Sequence, residues 1–288
     1  MFNKNKKFRM KTPFNNVKAL IIDMDGVLWH GNQAIDGLND FFTTLRKQSL
    51  PFILATNNAS QTNGEYIKKL ASMGITVQAD EILTSGMATA SYLAEQYNPA
   101  ATRIFVLGEA GASQPLLEKG FTLTDIYELN TPETPNSGAN IVVCGKDETL
   151  NWDKLSTATL NLNAGATFIA TNADVSLPTE RGAVQGNGAI LAALTAATGK
   201  TPTSIGKPEP IMYQQALKLL GTKPENTIAI GDRLDTDILG AVRTGMPSIM
   251  VLTGISQISD LDDIDYAPTW IMQDLTEIIK QLKLHNND

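Results

Sequence analysis

The first regular pattern in the chain is a short, mostly apolar run from Val17 to Ile22, which stops abruptly at Asp23-Met24-Asp25-Gly26. Such a run is what a strand buried on both faces of a parallel sheet requires. Leu38, Phe41, Phe42 and Leu45 then recur at helical spacing, so 38–48 is expected to be a helix. Pro51 to Ala55 reads as a second strand, ending at Thr56-Asn57-Asn58, and a helix from about Thr62 to Met73 closes on Gly74. The same rhythm returns near the C-terminus: helix 210–220 closed by Gly221, strand 227–230 stopping at Gly231-Asp232, helix 238–244 ended by Gly245, strand 248–252, and a last helix over 274–282. This alternation predicts an α/β fold with a doubly wound sheet.

Between the two blocks lies a segment with strands of its own at 103–107, 139–143 and 167–170, and helices at 152–163 and 189–198. It has the size of a small domain. The expected organisation is a core domain formed by 15–86 and 205–288, interrupted by an inserted domain at 87–204. The proline- and glycine-rich loop Thr131 to Gly138 falls inside the insert.

Composition narrows the class. The chain has 288 residues, 42% of them hydrophobic, which is enough for a sizeable core and argues against disorder. A net charge of −7 is a poor basis for binding nucleic acid, which needs a basic face. The single cysteine, Cys144, excludes an internal disulfide and a cysteine-based zinc site. It reads as a small buried residue, and a cytoplasmic location fits. No run approaches a membrane span. Met1 to Lys11 is basic without the apolar stretch of a signal peptide and reads as a solvated tail.

The candidate chemistry sits at strand ends. Asp23 with Asp25, Thr56 with Asn57 and Asn58, Lys207 shortly after Ile205, and Asp232 with Asp235 and Asp237 each follow an apolar run. In an open parallel sheet the carboxyl ends of the strands form the ligand crevice, so these four clusters are expected to converge. Packed carboxylates repel and call for a hard cation, and magnesium takes carboxylates, water and phosphate oxygens. A lysine opposite adds a point charge suited to phosphate. Such a site positions a phosphoryl group, and a carboxylate nucleophile there can form an aspartyl-phosphate. Of Asp23 and Asp25, one attacks while the other donates a proton to the leaving oxygen and later activates water, with the chain bending at Gly26. Asp237 is expected to cap a helix start in part, while Asp232 faces the metal.

The motifs Asp23-Met24-Asp25-Gly26-Val27-Leu28-Trp29, Thr56, Lys207 and Gly231-Asp232-Arg233-Leu234-Asp235-Thr236-Asp237 resemble those of the haloacid-dehalogenase-like hydrolases. Thr56 to Thr62, Thr84 to Ala90, Phe168 to Asp174 and Gly206 to Pro210 make the chain similar to their NagD-like, p-nitrophenylphosphatase-type branch, from about Val17 to about Leu275. The resemblance implies a Rossmann-like core with an α/β cap inserted between the second and third motifs. The spacing agrees, since 33 positions separate Asp23 from Thr56 and 151 separate Thr56 from Lys207. It implies Asp23 as nucleophile and metal ligand, and Asp25 as general acid/base binding Mg²⁺ through its carbonyl. Asp232 becomes the third protein ligand, Thr56 and Lys207 the holders of the phosphoryl oxygens, and Asn57 and Asn58 part of the substrate loop. In the cap, Asn172 and Asp174 are candidate specificity residues. The implied substrate is a small phosphorylated metabolite, a nucleoside monophosphate or sugar phosphate, and a homodimer or higher homo-oligomer is left open. Trp29 departs from the tyrosine or other residue common there. Gln185-Gly186 departs from a frequent Pro-Gly and puts substrate preference, not chemistry, in question.

Rival readings fit less well. Gly199-Lys200-Thr201 lacks the upstream glycine of a P-loop, because position 194 is Leu. His30 and His285 are the only histidines for a Ser-His-Asp hydrolase. A phosphomutase would share the aspartyl-phosphate but carries its cap between the first two motifs, where this chain has no room. A non-catalytic phospho-ligand-binding protein of the same fold is the remaining alternative.

Overall fold

The computed structural model describes residues 14–179 and 181–285; the basic tail at Met1 to Lys11 lies outside them. Contacts divide the chain into two compact units, one of 1–56, 67–83 and 207–288, the other of 57–66 and 84–206.

The first unit is built on a six-stranded sheet. Its strand order is Trp270–Met272, Ser248–Val251, Thr227–Gly231, Ala19–Ile22, Phe52–Thr56 and Ile82–Thr84. The pairings from Trp270–Met272 across to Phe52–Thr56 are parallel. Ala19–Ile22, Phe52–Thr56, Thr227–Gly231 and Ser248–Val251 are buried throughout, which is why their sequences are apolar without alternation. From Ala19–Ile22 the chain steps to one side of the sheet through Phe52–Thr56, then later returns to the other side through Thr227–Gly231. Ala19–Ile22 therefore borders the topological switch, and the crevice there lies beyond Ile22 and Gly231. Helix Leu38–Lys47 turns Leu38, Phe41, Phe42 and Leu45 inward and packs against Leu275–His285. Pro210–Leu220 starts on a proline, ends on Gly221 in a left-handed conformation, and packs against Leu239–Thr244.

The second unit holds a five-stranded parallel sheet in the order Thr203–Ser204, Thr167–Ala170, Ile141–Cys144, Arg103–Leu107 and Thr122–Leu123. Phe105, Val142, Cys144, Leu162, Phe168, Ile190 and Leu194 are among its core residues. An antiparallel hairpin pairs Ser176–Thr179 with the exposed strand Gly182–Gln185.

One expectation needs correction. The strand before Lys207 is Thr203–Ser204, in the second unit's sheet, so Lys207 does not close a strand of the core. It enters the first unit three residues before Pro210–Leu220. The helix expected from 238 is preceded by a single π-type turn, Leu234–Ile238, of the kind that often marks functional sites.

Candidate active site

Four of the named side chains meet at the switch point of the first unit. The sheet ladder carries on past Ile22, because the Asp23 N–H donates to the Ile230 carbonyl at 2.8 Å. Asp23 thus stands beside the end of Thr227–Gly231, and Asp232 follows that strand directly. Beyond Asp23 the chain folds back sharply. Leu28 N–H donates to the Met24 carbonyl and Gly26 N–H to the Trp29 carbonyl, both at 2.8 Å. Met24, Val27, Leu28 and Trp29 are fully buried and anchor this turn, while Asp25 projects outward with Oδ1 accepting from Trp29 Nε1 at 2.7 Å.

Lys207, 3% exposed, ties three elements together. Its ammonium donates to Asp23 Oδ1, to the Ala55 carbonyl at 3.0 Å and to Asp237 Oδ1 at 2.7 Å. Asp237 also accepts from the Arg233 N–H through Oδ2 at 3.1 Å. It therefore braces the backbone at the start of that turn and pairs with the lysine besides. Tyr213 holds the same turn by donating to the Asp237 carbonyl at 3.0 Å. Thr56 ends its strand buried, next to the Ala55 carbonyl that Lys207 uses.

Asp23, Asp232 and Asp237 each present a carboxylate oxygen within 4.8 Å of the other two. Three carboxylates face one ammonium, and the surplus negative charge governs their ionisation. Burial together with the Asp237 and Asp232 charges raises the Asp23 carboxyl well above its ordinary range, against the pull of Lys207. Burial works against the Lys207 charge, but Asp23 and Asp237 outweigh it and hold the ammonium firmly protonated. Burial and the Asp237 charge push Asp232 up to about 6.

Asp232 shows what the cluster lacks. Oδ2 accepts from the Ile255 N–H at 2.8 Å, whereas the buried Oδ1 has no hydrogen-bond partner among the described residues. An ionised carboxylate oxygen can only accept, so a cation or a donor belongs there. The donors are all oxygens, which suits a hard divalent cation. Asp23 and Asp232, two of the three clustered carboxylates, are thus able to hold one, and the residues present fit that group.

Two glycines make room for this carboxylate. A Cβ at Gly26, whose φ is +80°, would stand 2.5 Å from Asp232 Oδ2, and one at Gly254 would stand 1.8 Å away. Gly26 was singled out in the sequence; Gly254 was not. The signal for it was the polar loop Thr253-Gly254-Ile255 after strand 248–252, a strand end like the others. Thr253 Oγ1 donates to the Gly26 carbonyl at 2.6 Å, which joins that loop to the first motif.

The remaining candidates belong to the second unit and gather in a separate network. Asn57 Nδ2 donates to both carboxylate oxygens of Asp174, at 3.3 and 3.2 Å. Asn172 Nδ2 donates to the Asn57 carbonyl at 2.8 Å and its Oδ1 accepts from the Asp174 N–H at 3.1 Å. The buried Asn187, missed in the sequence, donates to the carbonyls of Asn172 at 2.7 Å and Cys144 at 3.0 Å. Asn58 Oδ1 accepts from Ser60 N–H and Oγ, a local turn. Asn172 and Asn58 thus spend side-chain groups on shaping the loops. Cys144 is buried, and that burial pushes its thiol far up, as for an inert core residue. No helix among the described residues is long and apolar enough to cross a membrane.

Comparison with known proteins agrees with these motifs. A family model described as haloacid dehalogenase-like hydrolase matches residues 20–122, and one described as HAD-hydrolase-like matches 204–278. The chain is 40% identical over 268 residues to a protein named acid sugar phosphatase in Staphylococcus saprophyticus subsp. saprophyticus, covering 93% of this chain and 99% of that one. Among solved structures, a p-nitrophenyl phosphatase from Archaeoglobus fulgidus superposes with a TM-score of 0.84 at 27% identity, over 92% of this chain and 99% of that one. NagD from E. coli K-12 superposes with a TM-score of 0.81 at 33% identity, over 91% and 98%.

Proposed function

The chain belongs to the haloacid-dehalogenase-like hydrolases, in their NagD-like phosphatase branch, and we propose that it hydrolyses small phosphate monoesters with Mg²⁺ through an aspartyl-phosphate on Asp23. The observation that carries this reading is the buried Asp232 Oδ1, left without a partner beside Asp23 and the Lys207 ammonium. Sugar phosphates head the substrate class, because the curated relative bears that name; nucleoside monophosphates come next.

Asp23 Oδ1 is held by Lys207, which leaves Oδ2 to attack phosphorus. The new O–P bond forms as the bond to the leaving oxygen breaks. Asp25, two residues on and projecting from the turn, gives that oxygen a proton, so the product leaves as an alcohol. The resulting Asp25 carboxylate then takes a proton from water as that water attacks phosphorus. Phosphate departs and Asp23 is restored. Lys207 and the hydroxyl of Thr56 hold the phosphoryl oxygens, and Lys207 stays protonated throughout because two carboxylates surround it. Asp23, Asp232 and the Asp25 carbonyl would hold Mg²⁺, which when bound would supply positive charge to offset the repulsion between a carboxylate and a phosphate dianion.

The test is a screen of phosphorylated metabolites, sugar phosphates and nucleoside monophosphates together, with Mg²⁺ and with EDTA. Phosphate release that needs the metal is the expected result. No release from any substrate, or release indifferent to EDTA, overturns the reading.

A further inference from the structure

Resting on the phosphatase reading above, we propose that Trp29, backed by Lys69, is a positioning residue that fixes the Asp25 carboxylate for proton transfer to the leaving oxygen. Asp25 is exposed, and among the described residues the bond from Trp29 Nε1 at 2.7 Å is its side chain's hydrogen bond. Trp29 is immobile by comparison. It is fully buried, its carbonyl accepts from the Gly26 N–H at 2.8 Å, and its backbone bridges to that of Asp25. The indole nitrogen is therefore a fixed point against which a mobile carboxylate is set.

The bond also selects an oxygen. An indole N–H donates and cannot accept. The oxygen it engages, Oδ1, must offer a lone pair, so the transferable proton of Asp25 sits on Oδ2. When the leaving oxygen takes that proton, the carboxylate left behind keeps its hold on the indole. The proton later drawn from water returns to the same Oδ2. Each half-reaction thus finds the carboxyl in the same orientation.

Lys69 strengthens the device. It comes from helix Asn63–Ser72 and its ammonium lies over the Trp29 ring, 4.3 Å from the centroid. A cation on the π face draws electron density from the ring and makes its N–H a better donor. Burial lowers the Lys69 ammonium, and the negative charge of Asp25 acts back on it in the opposite sense. None of the motif residues read from the sequence includes Lys69.

The experiment compares p-nitrophenyl, phenyl and benzyl phosphate as substrates for the wild type, Trp29→Phe, Lys69→Met and Lys69→Arg, with Mg²⁺. Nitrophenolate departs readily without a proton; the benzyl alkoxide needs one. Trp29→Phe should lower kcat on benzyl phosphate about tenfold more than on p-nitrophenyl phosphate, with KM little changed. Lys69→Met should act in the same direction by about threefold, and Lys69→Arg should restore the wild-type ratio. Thermal melts identify any variant that fails to fold, and Lys69→Met carries the test if Trp29→Phe does. Equal losses on all three substrates, or losses confined to KM, overturn the proposal while leaving the phosphatase reading intact. A wild type inactive on all three overturns both.

Discussion

With divalent cations removed, lowering the pH from about 7.5 to about 5.5 should make this protein more stable, contrary to the usual behaviour of acidic chains. Burial and the Asp237 charge hold the Asp232 carboxyl at about 6, against an ordinary 3.8. The folded protein therefore binds a proton where the unfolded chain does not. That penalty is present above the folded value, and stability is regained as pH falls through it. The full gain, reached only near the unfolded value, is about 3 kcal/mol for two pH units. Between about pH 7.5 and about pH 5.5 only the upper part is reached, about 1 kcal/mol. That corresponds to a melting-temperature rise of roughly 2–4 °C for a chain of this size. Asp23 is raised by the same surplus of charge and adds in the same direction. Burial raises Glu81 and Asp147, but it is outweighed by the Arg46 bond and charge with the Gln78 N–H together at Glu81, and by the Lys154 and Thr149 bonds with the Lys154 charge together at Asp147, so both are held low instead. Their stabilisation is lost only as pH falls below the ordinary carboxylate range, outside the window. Thermal melts in EDTA across the window measure the effect. Saturating Mg²⁺ should reverse its sign, because ligation needs ionised carboxylates. Flat or falling stability in the EDTA series refutes the reasoning, as does an undiminished rise in Asp232→Asn.

Three further outcomes are expected. Gly254→Ala puts a methyl where Asp232 Oδ2 stands, so Mg²⁺ affinity measured by calorimetry should fall at least tenfold while circular dichroism stays unchanged. Lys207→Met leaves Asp23 and Asp237 buried without their counter-ion and should cost roughly 3 kcal/mol in chemical denaturation, along with turnover. Asn187→Ala strands the buried Asn172 and Cys144 carbonyls and should cost about 1–3 kcal/mol in the same assay.

The core was legible because its strands are continuous apolar runs ended by polar residues. That punctuation exposed Asp23, Thr56 and Asp232 together. Lys207 was found by spacing, but its strand was misplaced: Thr203–Ser204 is only two residues long, too short to reveal its sheet. Ile82–Thr84 escaped for the same reason, running straight into helix Ser85–Gln96 without a turn residue. Gly254 and the Ile255 N–H act through backbone position, which leaves no side-chain signature. The bond from Trp29 to Asp25 depends on a tight turn that brings residues four apart face to face, a geometry no periodicity encodes.

The central claim is that Asp23 carries the phosphoryl group, and a quenched turnover tests it most directly. Protein mixed with Mg²⁺ and p-nitrophenyl phosphate, stopped in acid and digested, should yield an acid-stable, hydroxylamine-labile phosphoryl adduct on the peptide containing Asp23. Asp23→Asn should yield none and turn nothing over. An adduct on another residue, or an active Asp23→Asn protein, contradicts the account.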